Sequence, residues 1–225
     1  MARLLFLIPF FLLVLGEVPL EAAQRKDLET LLEEVDKASQ DFKTIEADVT
    51  YTRIIFLLEE EETSRGKVRY KKPKKLHLEL KPPRDELDIS DGEYLWVYRP
   101  EAKQVEKYRI AKEETMELNF FEFGYEGSVK KAKENYYIEM LNTEEKEGLY
   151  ILKLTPKESE TSPQYSEIRL WIEEGFWLPT QIELYESQGE VINRIVLKNV
   201  KMNKSIPDSL FQFVVPEGVE VVEPF

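Results

Sequence analysis

From residue 46 onwards the chain repeats one pattern, in which apolar side chains stand at every second position and turn signals separate the runs. In the first run, Ala47, Val49 and Tyr51 alternate with Asp48 and Thr50. A period of two is typical of an antiparallel strand that buries one face and exposes the other. Roughly ten or eleven such runs occur at short spacing, which indicates one antiparallel sheet that is strongly curved or barrel-like. The pattern therefore predicts a mainly β fold.

The residues before these strands follow a different period. Between positions 25 and 43, apolar side chains recur at intervals of three and four residues, with glutamate and lysine on the other positions. This spacing predicts an amphipathic helix whose apolar face packs on the sheet. The members of that face are Leu28, Leu31, Leu32, Val35, Ala38 and Phe42. If the sheet encloses a cavity, the same face could close it.

The first predicted strand ends without alternation, because residues 54–58 are all apolar. A strand end that is apolar on both faces needs cover on both faces, or it leaves an adhesive edge exposed. Residues 59–62 are all glutamate, and they predict a solvated turn directly after the apolar segment.

Residues 112–134 interrupt the pattern of strands. Bulky apolar residues crowd together here, among them Met116, Phe120 and Phe121, and glycines and lysines follow them. We expect a short helix and a loop in this region. An apolar segment between strands either fills the core or acts as a lid over a cavity, and the sequence leaves both possibilities open.

The N-terminal residues have the features of a secretion signal. An arginine at position 3 precedes an apolar run over residues 4–15, and alanines follow at positions 22 and 23. The run is short for a transmembrane helix, which needs about 20 apolar residues. We therefore predict a signal peptide over residues 1–23 and a single exported domain over residues 24–225, with an uncleaved N-terminal anchor as the alternative.

Composition argues against several classes of partner. The net charge is −13, which disfavours nucleic acid as a partner because phosphate binding needs a positive surface. The chain has no cysteine. It therefore has no disulfide, no thiol nucleophile and no lipid-modifiable cysteine of the kind that a bacterial lipoprotein needs.

The sequence contains little that suggests catalysis. Its single histidine, His77, falls on the polar face of a predicted strand, and no phosphate-binding loop or nucleophile elbow occurs. A metal site would depend on carboxylates alone. We expect no enzyme, no cofactor and no metal site, although neighbouring carboxylates leave a glycan hydrolase as an alternative. Burial of an apolar ligand inside the sheet is the favoured chemistry.

Several motifs resemble the outer-membrane lipoprotein carrier protein family, LolA. They stand in the family's order and spacing, and the resemblance spans essentially the whole chain after the predicted signal peptide. The motifs are GKVRYKKP at 66–73, SDG at 90–92, LWVYRP at 95–100, QV at 104–105, LKLTPK at 152–157 and FQFVVPEGV at 211–219.

The resemblance implies an incomplete, half-open antiparallel β-barrel with helices covering a hydrophobic cavity. It implies a periplasmic carrier that accepts acylated lipoproteins from an inner-membrane ABC transporter and delivers them to an outer-membrane receptor lipoprotein. We expect the protein to be a monomer. The acyl chains would occupy the cavity. The candidate residues of the cavity and its lid are Leu31, Val35, Leu76, Leu78, Leu80, Ile89, Leu95, Val97, Met116, Phe120 and Phe121.

Position 72 differs from the family's usual pattern. Family members often have arginine before the motif proline, where it helps to hold the lid and the ligand, whereas this chain has Lys72. Lysine keeps the charge but lacks the planar, forked group of donors. We predict that Lys72 is a polar contact of the lid or ligand, with a solvated lysine as the alternative. Some relatives serve phospholipid or glycolipid transport or act as binding modules of envelope-stress sensors, and both functions stay open here.

Overall fold

The computed structural model describes residues 26–110, 125, 129–141, 147–157, 165–187 and 189–223. These residues form two α-helices, α1 (Leu28–Asp41) and α2 (Val129–Asn135), and two short 3₁₀ turns, Phe56–Leu58 and Asp208–Phe211. They also form twelve strands: β1 (Thr44–Ile55), β2 (Glu60–Lys71), β3 (Lys75–Leu80), β4 (Glu86–Asp91), β5 (Tyr94–Arg99), β6 (Gln104–Arg109), β7 (Tyr136–Leu141), β8 (Leu149–Pro156), β9 (Tyr165–Glu173), β10 (Pro179–Glu186), β11 (Val191–Met202) and β12 (Glu220–Val222).

Helix α1 lies where the apolar spacing predicts a helix. Asp27 caps its first turn, because the carboxylate accepts a hydrogen bond of 2.8 Å from the backbone N–H of Thr30. On the predicted apolar face, Leu31, Leu32 and Val35 are buried. Within the described residues, neither helix combines the length and the apolarity that crossing a membrane requires.

All twelve strands join one sheet, in the order β12-β6-β5-β4-β3-β2-β1-β11-β10-β9-β8-β7. Neighbouring strands run antiparallel, except that β12 pairs with β6 in parallel. The two ends of this order, β12 and β7, do not close on each other in the part of the chain that the structure describes. The predicted half-open barrel with a helical cover is therefore confirmed, with one strand more than the highest count from the sequence.

The SDG motif forms a tight turn between β4 and β5. The Oδ1 atom of Asp91 accepts hydrogen bonds from the backbone N–H groups of Glu93 and Tyr94, at 2.8 and 2.9 Å. Gly92 has a φ of +102°, a conformation that residues with a Cβ atom rarely adopt. The glycine of this motif is therefore a requirement of the turn.

Strands β2 and β3 approach each other closely at Gly66. This residue pairs with Leu80, and a Cβ atom added to it would lie 1.7 Å from the carbonyl oxygen of Glu79. Any side chain would force the two strands apart. Close backbone approach thus explains the glycine at the start of the GKVRYKKP motif.

The sheet has two different faces, because side chains alternate along each strand. The inner face holds the main core together with α1, and Ile45 and Leu95 are completely buried there. The C-terminal segment covers part of the outer face: Phe211 is buried, and the ring of Phe213 stacks on that of Trp96 with centroids 6.2 Å apart. Only the inner face is therefore available as the interior of the half-barrel.

Candidate functional site

The inner face of the sheet forms a mainly apolar surface beneath α1, with β4 as the exception because it turns polar side chains inward. Strands on both sides of β1 contribute to it, and α1 adds Leu31, Leu32 and Val35. The strand residues include Val49, Val68, Leu76, Leu95, Leu152, Leu170, Ile182 and Leu197. Such a surface offers contacts that favour apolar groups and leaves polar groups unpaired.

Most of the predicted cavity residues lie together on this surface. Those that are buried in the main core are Leu31, Val35, Leu76, Leu80, Leu95 and Val97. Leu78 is half-buried and packs against the same cluster. The sequence-based set is therefore spatially coherent for the helix and for strands β3 and β5.

Ile89 lies apart from this set. In the register of the sheet it stands opposite His77 of β3 and Trp96 of β5, on the outer face. Its neighbour Asp88 pairs with Val97 and faces inward. Strand β4 thus turns Glu86 and Asp88 towards the interior and Leu87 and Ile89 outward. Ile89 is therefore not part of the inner surface.

The predicted lid residues Met116, Phe120 and Phe121 lie outside the described residues. Helix α2, which follows this region in the chain, contacts α1. The backbone N–H of Val129 donates a hydrogen bond of 3.2 Å to Oδ1 of Asp36. Helix α2, which contains most of the described residues of the predicted lid region, is therefore joined to α1.

Tyr125 belongs to the apolar segment within residues 112–134, but it was not among the predicted site residues. Its side chain is completely buried, and its ring meets that of Phe42 edge-on with centroids 5.1 Å apart. The hydroxyl donates a hydrogen bond of 2.6 Å to the carbonyl oxygen of Pro179. Burial raises the pKa of the Tyr125 hydroxyl far above its ordinary value. The hydroxyl therefore stays protonated and keeps this contact.

Lys72 contacts the cover rather than only solvent. Its ammonium group donates a hydrogen bond of 2.6 Å to the carbonyl oxygen of Ser39 in α1. It also lies 5.3 Å from the centroid of the Phe42 ring, within the range of a cation–π contact. These contacts join the end of β2 to α1, and the role of Lys72 at a lid or ligand stays a prediction.

A polar cleft with a volume of about 520 Å³ opens at one end of the inner face. Its lining comes from residues near the ends of β1, β5 and β10, from residues near the starts of β2, β4, β9 and β11, and from the loops at 83–85 and 101–102. In antiparallel strands these termini meet at one end of the sheet. The lining includes Tyr51, Arg84, Glu86, Arg99, Tyr165 and Asn193.

The carboxylate of Glu86 organises the floor of this cleft. Although it is only 3% exposed, both its oxygens are bound: Oε1 lies 2.5 Å from Nη2 of Arg84, and Oε2 lies 2.9 Å from Nε of Arg99. Arg84 in turn lies 4.6 Å from the centroid of the Tyr51 ring. A buried charge needs such partners, so we interpret Glu86 as a structural ion-pair residue rather than as an acid or base.

The same network extends to Glu106. Burial alone would raise the pKa of its carboxyl, but hydrogen bonds from Tyr108 and Arg99 outweigh burial and hold the pKa below its ordinary value. The carboxylate of Glu106 therefore stays ionised at neutral pH. From the sequence, nothing distinguishes Glu86 or Glu106 from the many other acids, because the cluster depends on strand register.

The arrangement as a whole suits an amphipathic molecule. The interior of the half-barrel is mainly apolar, and the cleft at its open end carries paired charges. Among the described residues, no group of three or more His, Cys, Asp or Glu side chains is placed to hold a metal ion. The fold and site define an open β-sheet protein with a covered apolar interior and a charged cleft at one end.

Comparison with known proteins identifies the family. The model of the family described as outer membrane lipoprotein carrier protein LolA matches residues 42–214. The chain belongs to this family, and the resemblance in the sequence motifs is confirmed.

Individual relatives are distant. An outer-membrane lipoprotein carrier protein of Azotobacter vinelandii is 27% identical over 207 residues, which cover 91% of each protein. An uncharacterized protein of Methanocaldococcus jannaschii is 28% identical over 96% of this chain, but the match spans only 60% of the relative's length. Among solved structures, an uncharacterized conserved protein from Thermus thermophilus matches with a TM-score of 0.50 and 14% identity, covering 87% of this chain and 98% of that one. This last likeness concerns the fold alone.

Proposed function

We propose that this protein is a carrier, without catalytic activity or cofactor, that binds the acyl chains of lipoproteins between the inner face of the sheet and its helical cover. The observation that carries the proposal is the mainly apolar inner surface beneath α1 in a member of the LolA family. Each buried CH₂ group stabilises a bound acyl chain by about 0.8 kcal/mol. A long chain therefore needs no polar contacts along its length.

Uptake requires the cover to move. In the structure, Leu31 of α1 and Leu76 and Leu95 of the sheet are completely buried. An acyl chain must therefore displace some of the contacts between helix and sheet. The carrier then has a closed state and an open state, and a ligand that binds only the open state shifts the population towards it.

The proposal includes a route for the cargo. After export directed by residues 1–23, the domain of residues 24–225 would act as a monomer in the periplasm. It would accept lipoproteins from an inner-membrane ABC transporter and pass them to an outer-membrane receptor. Support comes from the relatives named as outer-membrane lipoprotein carrier proteins.

The test is native mass spectrometry of the protein purified from an envelope extract, followed by extraction of the bound lipid. Co-purification of a triacylated lipoprotein supports the carrier proposal and identifies the cargo. Bound phospholipid or glycolipid instead assigns the protein to lipid transport with the same fold. If nothing binds, even after a lipoprotein in detergent is added, the proposal is wrong.

A pair of variants localises the binding surface. Leu78→Glu places a carboxylate at a half-buried position of the inner face. It should lower acyl uptake by about tenfold or more, because the charge must lose water beside the chain. His77→Glu adds a carboxylate to the same strand on the other face, opposite Arg69. It should leave uptake unchanged. Equal uptake by both variants, with circular dichroism showing that both fold, would exclude Leu78 from the site, and Leu78→Gln serves if the charged variant does not fold.

A further inference from the structure

Three consecutive large apolar side chains stand exposed at the turn between β1 and β2. Phe56, Leu57 and Leu58 have exposed fractions of 54%, 71% and 62%. We name these three residues the apolar tip. The apolar segment of residues 54–58 is expected to need cover on both faces. Within the described residues, its last three side chains have no such cover. Its exposure needs a physical explanation, because monomers rarely present such patches without a function.

The apolar tip is a defined structural element. The three residues form a 3₁₀ turn, which ends at Glu59 in the left-handed conformation with φ of 52°. The backbone N–H of Phe56 donates a hydrogen bond of 2.9 Å to the carbonyl oxygen of Glu190, and the N–H of Glu59 donates to the carbonyl oxygen of Phe56 at 3.2 Å. These bonds present the three side chains at the end of a hairpin of two twelve-residue strands.

The tip lies at the same end of the sheet as the charged cleft. Tyr51 and Arg53, near the end of β1, line the cleft, as does Glu62 near the start of β2. Only a few residues separate them from the tip in each strand. Any surface that receives the apolar tip therefore also faces the open end of the half-barrel.

A collar of negative charge stands directly behind the tip. Glu59, Glu60, Glu61 and Glu62 are all exposed, and Glu190 is exposed beside them. Charged groups resist transfer into an apolar medium, so this collar limits how deeply the tip can enter one. Arg53, opposite Glu62, and Arg65 are also exposed on these two strands, but the five glutamates outnumber them, so the collar is net negative and disfavours a surface of negative charge.

We propose that the apolar tip inserts into the interface of a lipid bilayer with neutral, zwitterionic head groups and so brings the charged cleft against the membrane. The reason for membrane contact rests on the proposed function, since a carrier of acyl chains exchanges its cargo at membranes. The occupant is a bilayer rather than a protein, because three side chains on one turn are far smaller than the roughly 800 Å² per partner of a stable protein interface. A fluid bilayer needs no matching pocket.

The absence of cysteine from the chain permits a direct test. Leu57→Cys in the full chain, labelled with the environment-sensitive fluorophore NBD, reports on the tip alone. With vesicles of phosphatidylcholine, we expect a severalfold rise in emission, a shift to shorter wavelength and quenching by lipids brominated on their chains. Val214→Cys is the matched control: this valine is 81% exposed but distant from the tip in sequence, and its label should not respond.

The charge collar adds a second, independent expectation. Replacing about a third of the phosphatidylcholine with phosphatidylglycerol should weaken the response at low salt, and added salt should restore it because it screens the repulsion. The proposal is overturned if the Leu57→Cys label does not respond to neutral vesicles, if the Val214→Cys label responds equally, or if anionic lipid strengthens the response.

The two proposals fail separately. Combining Leu78→Glu with the Leu57→Cys label should lower acyl uptake by about tenfold or more and leave vesicle insertion intact. Phe56→Ser together with Leu58→Ser should abolish insertion of the label at position 57 and leave the uptake of detergent-dispersed lipoprotein intact. Insertion without uptake in the unmodified protein contradicts only the carrier proposal, and uptake without insertion contradicts only the membrane proposal.

Discussion

The ammonium group of Lys72 lies 2.6 Å from the carbonyl oxygen of Ser39, so a residue that directly follows β2 donates a hydrogen bond to the last turns of α1. The last turn of this helix contains no basic residue of its own. A positive charge near a helix C-terminus is stabilising, because the last carbonyl groups lack partners within the helix. Lys72 therefore fastens the cover to the sheet.

Removal of this contact should loosen the cover. Lys72→Met keeps much of the aliphatic side chain and deletes the charged donor. We expect the free energy of unfolding to fall by about 1 to 2 kcal/mol, measured by urea denaturation, and the uptake of an acyl probe to become faster. The control is Lys81→Met, which removes an exposed lysine away from the helix. A similar loss in both variants would show that Lys72 has no special contact with α1.

Tyr125 should contribute to stability through its hydroxyl. Tyr125→Phe keeps the ring against Phe42 but leaves the buried carbonyl oxygen of Pro179 without its donor. The expected loss is about 1 to 3 kcal/mol in the free energy of unfolding. Tyr137→Phe changes a tyrosine that is 61% exposed and should have almost no effect. If the two variants are equally stable, the contact between Tyr125 and Pro179 is not formed in solution.

Gly66 should not tolerate a side chain. In Gly66→Ala, the new Cβ would meet the carbonyl oxygen of Glu79 at 1.7 Å, and separation of β2 from β3 should cost about 3 kcal/mol. Hydrogen exchange should become faster along these two strands in particular. For comparison, Gly175→Ala has open space around the new Cβ and only a strained φ of +83°, which should cost about 1 kcal/mol. Equal losses of stability in Gly66→Ala and Gly175→Ala would mean that β2 and β3 do not approach closely at Gly66.

His77 should make stability depend on pH near neutrality. Burial, and then the positive charge of Arg69, lower the pKa of its imidazole below the ordinary 6.5. The unfolded chain therefore takes up a proton at a higher pH than the folded chain does. By linkage, the free energy of unfolding should fall as the pH drops from about 7.5 towards 5.5.

The chain contains one histidine, so a single variant isolates this effect. His77→Gln should flatten the dependence between about pH 7.5 and 5.5, as measured by urea denaturation at several pH values. A rise in stability on acidification of the unmodified protein would contradict the expected sign. An unchanged slope in His77→Gln would assign the dependence to other groups.

The architecture could be predicted because its signals are local. The spacing of Leu31, Leu32 and Val35 depends only on the period of a helix, and the alternation of Leu76, Leu78 and Leu80 depends only on the period of a strand. Turn motifs such as SDG are equally local. These signals were sufficient for one strongly curved antiparallel sheet preceded by an amphipathic helix. The half-open barrel with a helical cover was implied by the resemblance of the ordered motifs to the family.

Pairing between strands could not be predicted in the same way. Ile89 and Asp88 are neighbours in an alternating segment, and the sequence alone does not say which of the two faces the interior. The register of β4 between β3 and β5 decides it, and it turns the acidic residue inward. Apolar side chains on the outer face of β4 and β5 are shielded from water, because the C-terminal segment with Phe211 and Phe213 covers that face.

The helix and strand periods and the turns could be read from the sequence, since they follow from residues that are close together in the chain. The family followed from the order of short motifs along it. Which strand ends meet at one end of the sheet depends on the tertiary structure. It placed the pair of Arg84 and Glu86 beside Arg99, and it set the charged cleft beside the exposed tip of Phe56, Leu57 and Leu58. The physical reason is that charge pairing and burial depend on distances across strands, whereas periodicity depends on distances along one.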